Sequence, residues 1–211
     1  MKNKSVGFRR GVWALVVVVV IVAMGLGTKV VSGTALAATA PKVFNASEYG
    51  KKEFPKVKAL ILSKANDLAV VATAIQADAG KAAKSYGVVE GTSFPVYSVK
   101  FTGMAGTVDA AGMLPITVEG VPATITVRVQ TGPAISGTVL RDATGTIHFP
   151  QFVNQIQYQD AGSALTDELK KQVLSSVKAS TLSGKTVTVT GAFQLVNPAS
   201  FLLTPVQIEV G

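Results

Sequence analysis

Hydrophobic and polar positions change period three times along this chain, and each change marks a different kind of element. Residues 11–28 carry no charge, and Val16-Val17-Val18-Val19-Val20-Ile21-Val22 form the core of that run. At ~1.5 Å rise per residue such a run reaches about 27 Å, against a hydrocarbon core of roughly 30 Å. It reads as a membrane segment. From Ala46 to about Tyr86 the period is helical, with Val57, Leu60, Ile61, Ala65, Leu68, Ala72 and Ile75 recurring every three or four residues. Pro55 is expected in the first turn of that helix, where its missing N–H costs nothing. Gly80 interrupts the pattern and Gly87 ends it.

From Phe94 the period is two. Tyr97, Val99 and Phe101 alternate with Ser98, Lys100 and Thr102, which predicts a first strand that bends near Gly103 and Gly106. Residues 114–119 predict a second strand and 121–129 its hairpin partner. Residues 166–177 predict a helix with Leu165, Leu169, Val173, Leu174 and Val177 as its stripe. Thr166 is the expected cap, and Asp167 and Glu168 lie near the positive end. Residues 184–193 and 202–210 predict the last two strands. Three strands, an intervening segment and two strands is the order of a five-stranded OB-type barrel. The expected fold class is α+β: a signal or anchor segment at 1–28, a linker at 29–44, a helical part at 45–90, and an OB-like barrel at 91–211. An α+β sandwich is the alternative.

Charge sharpens the reading of the N-terminus. Lys2, Lys4, Arg9 and Arg10 precede the apolar run and Lys29 follows it, with no acid before Pro41. A basic flank before an apolar span puts the N-terminus inside and everything downstream outside the cytoplasm. The expected location is the cell membrane, single-pass, with the C-terminal domain on the extracytoplasmic side. Ala35-Leu36-Ala37 and Ala38-Thr39-Ala40 resemble cleavage sites, but both lie well beyond the apolar run, so an uncleaved anchor is preferred. Much of the formal charge of +8 is this topology signal, since 15 basic residues face 12 acidic ones in the remainder. The chain contains no Cys, so it has neither disulfides nor a lipid-accepting thiol.

Residues 132–165 fit neither period. Arg141 and Asp142 stand side by side, and Asn154, Gln155, Gln157 and Tyr158 follow in a stretch dense in amides. A charged pair in an apolar neighbourhood is hydrogen-bonded or lines a site, and amides suit neutral polar ligands such as sugars. These six residues are the candidate ligand-binding set. The competing reading is that they satisfy loop carbonyls while the barrel closes.

The run from Gly137 to Asp142, Phe149, Phe152, the run from Asn154 to Tyr158, and Ala164-Leu165 together resemble a bacterial family of unknown function described as predicted periplasmic lipoproteins. Lys29-Val30-Val31, Phe44-Asn45-Ala46, Tyr49, Lys84, Tyr86 and Gly87 agree with it. The resemblance implies an OB-like barrel with a helical N-terminal addition. Because genes of the family often lie beside sugar ABC-transporter genes, it also implies a component of such a transporter as a partner. It carries over no catalytic residue. The missing lipid-accepting Cys departs from the family and implies a membrane helix as the tether.

Little points to catalysis. His148 is the only His, too few with no Cys for a zinc site, and Asp142, Asp160, Asp167 and Glu168 are scattered. Ser175-Ser176-Val177-Lys178 has the Ser-x-x-Lys spacing without its partner motifs, and reads as a solvated helix end. Gly184-Lys185-Thr186 lacks the strand-to-helix context of a phosphate loop. Nucleic acid would need strand aromatics interleaved with basic groups, for which Tyr97, Lys100, Phe101 and Arg128 are the candidates, and an external location argues against it. No metal, cofactor or nucleic acid is implied. The expected function is a membrane-tethered, non-enzymatic binding or accessory module. The alternatives are a carbohydrate-processing hydrolase using Asp142 and Asp160, or a structural envelope protein.

Overall fold

Asn45 caps the first helix of the second of two units into which the chain divides, Met1–Val43 and Phe44–Gly211. The computed structural model describes residues 13, 15–24, 44–90, 93–135 and 137–211. In the first unit, residues 13 and 15–24 are helical, with Trp13, Leu15 and Val16 to Val22 exposed. Among the described residues no helix is long and apolar enough to cross a membrane. The rest of the expected anchor, its basic flank and the expected linker up to Val43 lie outside the described residues, and Phe44 opens the second unit.

The second unit begins with α1 (Ala46–Lys64), whose N-cap Asn45 accepts a hydrogen bond from the Glu48 N–H. Phe54, Val57 and Ile61 form its buried stripe. Pro55 lies inside α1 and not in its first turn, because the Asn45 cap starts the helix well upstream. The lost bond falls on the carbonyl of Lys51, an exposed position where water replaces it. The helical run expected up to Gly80 is divided after Lys64, and the break expected at Gly80 falls at Asp78. Asp67 accepts from the N–H groups of Ala69 and Val70 and opens α2 (Leu68–Ala77). Asp78 accepts from the Lys81 N–H and opens α3 (Ala79–Tyr86). Each Asp side chain offers the backbone an alternative to continuing the previous helix. Between α1 and α2, Asn66 and Asp67 pair in parallel with Val99 and Lys100.

Five strands then close into a barrel: β1 (Val96–Ala105), β2 (Met113–Val118), β3 (Thr126–Gln130), β4 (Thr186–Gln194) and β5 (Ser200–Val210). β1 pairs antiparallel with β2, and β2 with β3. β3 runs parallel to β5, β5 antiparallel to β4, and β4 antiparallel to β1 along the whole of β1 up to Met104. This is the expected barrel order. Its core holds Tyr97, Phe193 and Phe201 as stacked rings, with Leu68, Val71 and Ile75 of α2 packed in the same cluster. Tyr97 and Phe101 are therefore buried and do not stand on the barrel surface as stacking platforms.

The segment between β3 and β4 departs most from expectation. It contains the single turn α4 (Val139–Asp142) and a long helix α5 (Gln155–Gln172). α5 starts at Gln155 and not at Thr166, because Asn154 caps it by accepting from the Gln157 N–H. Thr166 is a buried mid-helix residue whose hydroxyl donates to the Gly162 carbonyl. α1 and α5 pack on the outside of the barrel in a second core of Phe54, Ile61, Leu165 and Leu169 against Val96, Ala192 and Val206. Their backbones approach closely at Gly50, where an added Cβ would lie 2.7 Å from the Ala164 carbonyl oxygen.

The position of the bend anticipated in β1 is where that strand takes β2 as a partner. Gly103 pairs with Val187 on one side and Val118 on the other. A Cβ there would meet the Thr117 carbonyl oxygen at 2.5 Å and Ile116 Cγ2 at 2.7 Å. Gly103→Ala is therefore expected to destabilise the domain by about 1–3 kcal/mol through overpacking, read as a lowered urea midpoint with an unchanged slope.

Candidate functional site

α4 is too short to be stable alone and is held by its side chains. Arg141 and Asp142 are consecutive, and Arg141 Nε donates to Asp142 Oδ1 at 2.7 Å. The other carboxylate oxygen accepts from Thr138 Oγ1 at 2.6 Å. Arg141 Nη1 reaches across to α5 and donates to the Tyr158 carbonyl at 2.9 Å, while the guanidinium carbon lies 3.6 Å from the centre of the Tyr158 ring. The Arg141 side chain is only 8% exposed. A buried guanidinium needs such a set of acceptors and a π face to offset its lost hydration. Gly162 makes the approach possible, since a Cβ there would lie 3.0 Å from Thr138 Cγ2.

Aromatic rings continue outward from this pair. Tyr158 contacts Phe152 at 5.4 Å and Phe149 at 5.7 Å between ring centres. Phe152 contacts Tyr49 at 5.7 Å and Phe44 at 5.8 Å. Burial pushes the Tyr49 hydroxyl up to about 12, with the Glu53 charge adding to the effect, Arg141 opposing it and Tyr158 adding a little. Burial also raises Tyr158, with the Arg141 charge opposing it and Asp142 and Glu90 reinforcing it.

A cavity of about 160 Å³ opens beside the ion pair. Arg141, Asp142 and Tyr158 form one wall. Val88, Glu90, Ser93 and Phe94 form another, and Val96 and Gln194 stand at the ends of β1 and β4 where these strands pair. His148 Nδ1 lies 2.6 Å from Glu90 Oε1, in a partly exposed contact. Among the described residues no group of three or more His, Cys, Asp or Glu could hold a metal ion.

The structure thus brings together three of the six residues expected from sequence. The other three serve the start of α5. Asn154 is its cap, Gln157 Oε1 accepts from the Val153 N–H at 3.2 Å, and Gln155 is exposed in the first turn. None of these three lines the cavity. Asp160 lies in a separate groove with Asp167 and Glu168, so the structure does not place it in the cavity with Asp142. Sequence reasoning missed Glu90, Ser93, Phe94 and Gln194, which reach the cavity only through the pairing of β1 with β4. No local pattern singles them out.

A family model described as "Predicted periplasmic lipoprotein (DUF2291)" matches residues 17–209 of the chain. Among solved structures, an OB-fold protein from Thermotoga maritima MSB8 is similar with a TM-score of 0.65. The match covers 81% of this chain and 100% of that one at 19% identity, a likeness of fold. No curated protein matches.

Two outcomes follow from the geometry. Arg141→Ala leaves the Asp142 carboxylate and the Tyr158 carbonyl short of a donor, and should cost about 3 kcal/mol in chemical denaturation. Arg141→Lys should not restore it, because a point ammonium cannot both stack on Tyr158 and bond two acceptors in one plane. The second concerns alkali. A phenol held protonated in the folded state favours folding fully below the unfolded value of about 10, and that contribution is lost as pH rises through the folded one. For Tyr49 the window is pH 10 to 12. Tyr49→Phe should flatten the loss of stability in that window, measured by denaturation at a series of alkaline pH values.

Proposed function

Because the chain belongs to the family described as predicted periplasmic lipoproteins, whose function is unknown, we propose that it works outside the cytoplasm as a membrane-tethered, non-enzymatic binding or accessory module. Its cavity takes a small, neutral, polyhydroxylated ligand. The observation that carries this reading is the cavity itself, set against an ion pair whose charges already satisfy one another. An engineered cavity of ~150 Å³ is known to hold benzene, so this one has room for the ring of a monosaccharide whose outer hydroxyls reach its opening. Phe94 offers a ring surface for its C–H face. Glu90, Ser93 and Gln194 offer hydroxyl partners of both senses.

The tether in this reading is the apolar segment at residues 11–28, crossing once with the N-terminus inside. It takes the place of the lipid-accepting cysteine, which the chain lacks. A component of a sugar ABC transporter is the proposed partner, supported by the sugar-like scale and chemistry of the cavity. A hydrolytic role has less support. Both oxygens of Asp142 already accept hydrogen bonds, and Asp160 lines another groove.

The test is a thermal-shift screen of the full chain in detergent against neutral monosaccharides. A ligand at a hundredfold its Kd should add about 2.7 kcal/mol of stability, seen as a saturable rise in Tm. Glu90→Ala and Gln194→Ala should each abolish the rise while leaving the unliganded Tm close to that of the unmodified chain. A screen with no saturable rise for any sugar would overturn the ligand class and leave the tethered domain as a module that engages a protein partner.

A further inference from the structure

α5 has an apolar residue on the wrong face. Its buried positions are Ala161, Gly162, Ala164, Leu165, Thr166, Glu168 and Leu169. Its exposed positions further along are polar: Gln159, Asp160, Ser163 and Asp167. Ile156 belongs to this exposed face and is 69% exposed. Val153, in the position before the cap, would ordinarily fold back onto the residue at the fourth helical position, here Tyr158. Instead it is 72% exposed. Phe149, whose ring touches Tyr158, is 45% exposed. Isolated exposed apolar residues are ordinary, but three large ones within eight residues, leading into one helix, mark a surface that something covers.

The chain itself says what covers it. Phe44, the first residue of the domain, packs its ring 5.8 Å from that of Phe152, the neighbour of Val153. The polypeptide therefore enters the domain at the corner that carries the exposed apolar residues. Residues 29–43 separate this corner from the apolar segment, and even fully extended at ~3.5 Å per residue they hold it within roughly 55 Å of that segment's end. A surface tied to a bilayer meets it at a high effective concentration. Branched aliphatic and Phe side chains at a helix end are those that enter the headgroup boundary.

We propose that Phe149, Val153 and Ile156 form a lipid-docking face, on which the domain lies against the bilayer with its cavity beside the membrane surface. This rests on the tethered reading above. The cavity follows because Tyr158 both lines it and contacts Phe149 and Phe152. A ligand would then be taken up or passed on at the lipid surface.

The absence of Cys makes the test clean, since any introduced thiol is unique. Full-length Ile156→Cys, Val153→Cys, Ser183→Cys and Val18→Cys variants are labelled with a polarity-sensitive fluorophore. Each is reconstituted in phosphatidylcholine–phosphatidylglycerol vesicles containing lipids spin-labelled near the headgroup or deep in the acyl chain. Ser183 is the control, because it is exposed beside the end of β1 that is remote from the cavity. The expected result is several-fold stronger quenching by the shallow spin label at positions 153 and 156 than at 183, with a blue-shifted emission. Equal quenching at 153, 156 and 183 overturns the docking face. The Val18 probe reports the tether independently. Quenching there by the deep label, with none at 153 and 156, leaves the tether standing and removes only the docking face. Quenching at 153 and 156 without any at 18 supports the docking face and removes the spanning anchor.

Discussion

The architecture depends on β1 keeping two partners at once. Along its length it pairs with β4 and thereby closes the barrel. Over its last three residues it also pairs with β2. A strand flanked on both sides has no free edge, and in a barrel this removes the surface on which other chains could pair. The same pairing creates the site. Closing β1 onto β4 sets Val96 opposite Gln194 and brings the segment before β1 next to the segment after β3. The cavity is a product of closure and has no existence in either half of the chain alone.

Charge is handled with similar economy around Arg141. A buried guanidinium beside a single carboxylate would be poorly compensated. Here the carboxylate belongs to the next residue, so little further entropy is spent in bringing it close. The remaining demand is met by a helix carbonyl and an aromatic face, both from Tyr158. One residue thus fastens α4 to α5 and forms part of the cavity wall. The ion pair is scaffold and wall together, which merges two readings that the sequence had set in opposition.

Strand order, the barrel and the place of the helical addition were legible in the sequence because they rest on period and turn signals. The start of α5 was not, and the reason is packing. Gly162 and Ala164 are small because other groups come close to them, Thr138 to the first and Gly50 to the second. A helix buried through small residues shows a weak apolar stripe, and its first turns read as irregular. Asn154 and Gln157 then looked like ligand groups when they were the signature of a helix start. Pro55 misled in the opposite direction, since an exposed carbonyl at Lys51 lets water take the place of the bond that proline removes. Arg141, Asp142 and Tyr158, which line the cavity, stand out in the sequence because charge and aromaticity are visible without geometry. Glu90 and Gln194 needed the fold.

The aromatic chain from Phe44 through Phe152 to Tyr158 links the entry of the polypeptide to the cavity wall. That link constrains how a tether and a site can be related in this family. A lipid on a cysteine and a membrane helix differ in chemistry, but each delivers the chain to the domain at its N-terminal corner. In the proposed tethering, exchanging a lipid for the apolar segment would leave the entry at Phe44 and the domain surface unchanged. The absence of Cys from this chain then requires no compensating change in the barrel. Its consequence is confined to the residues before Phe44, where a long uncharged valine-rich run stands behind a basic flank.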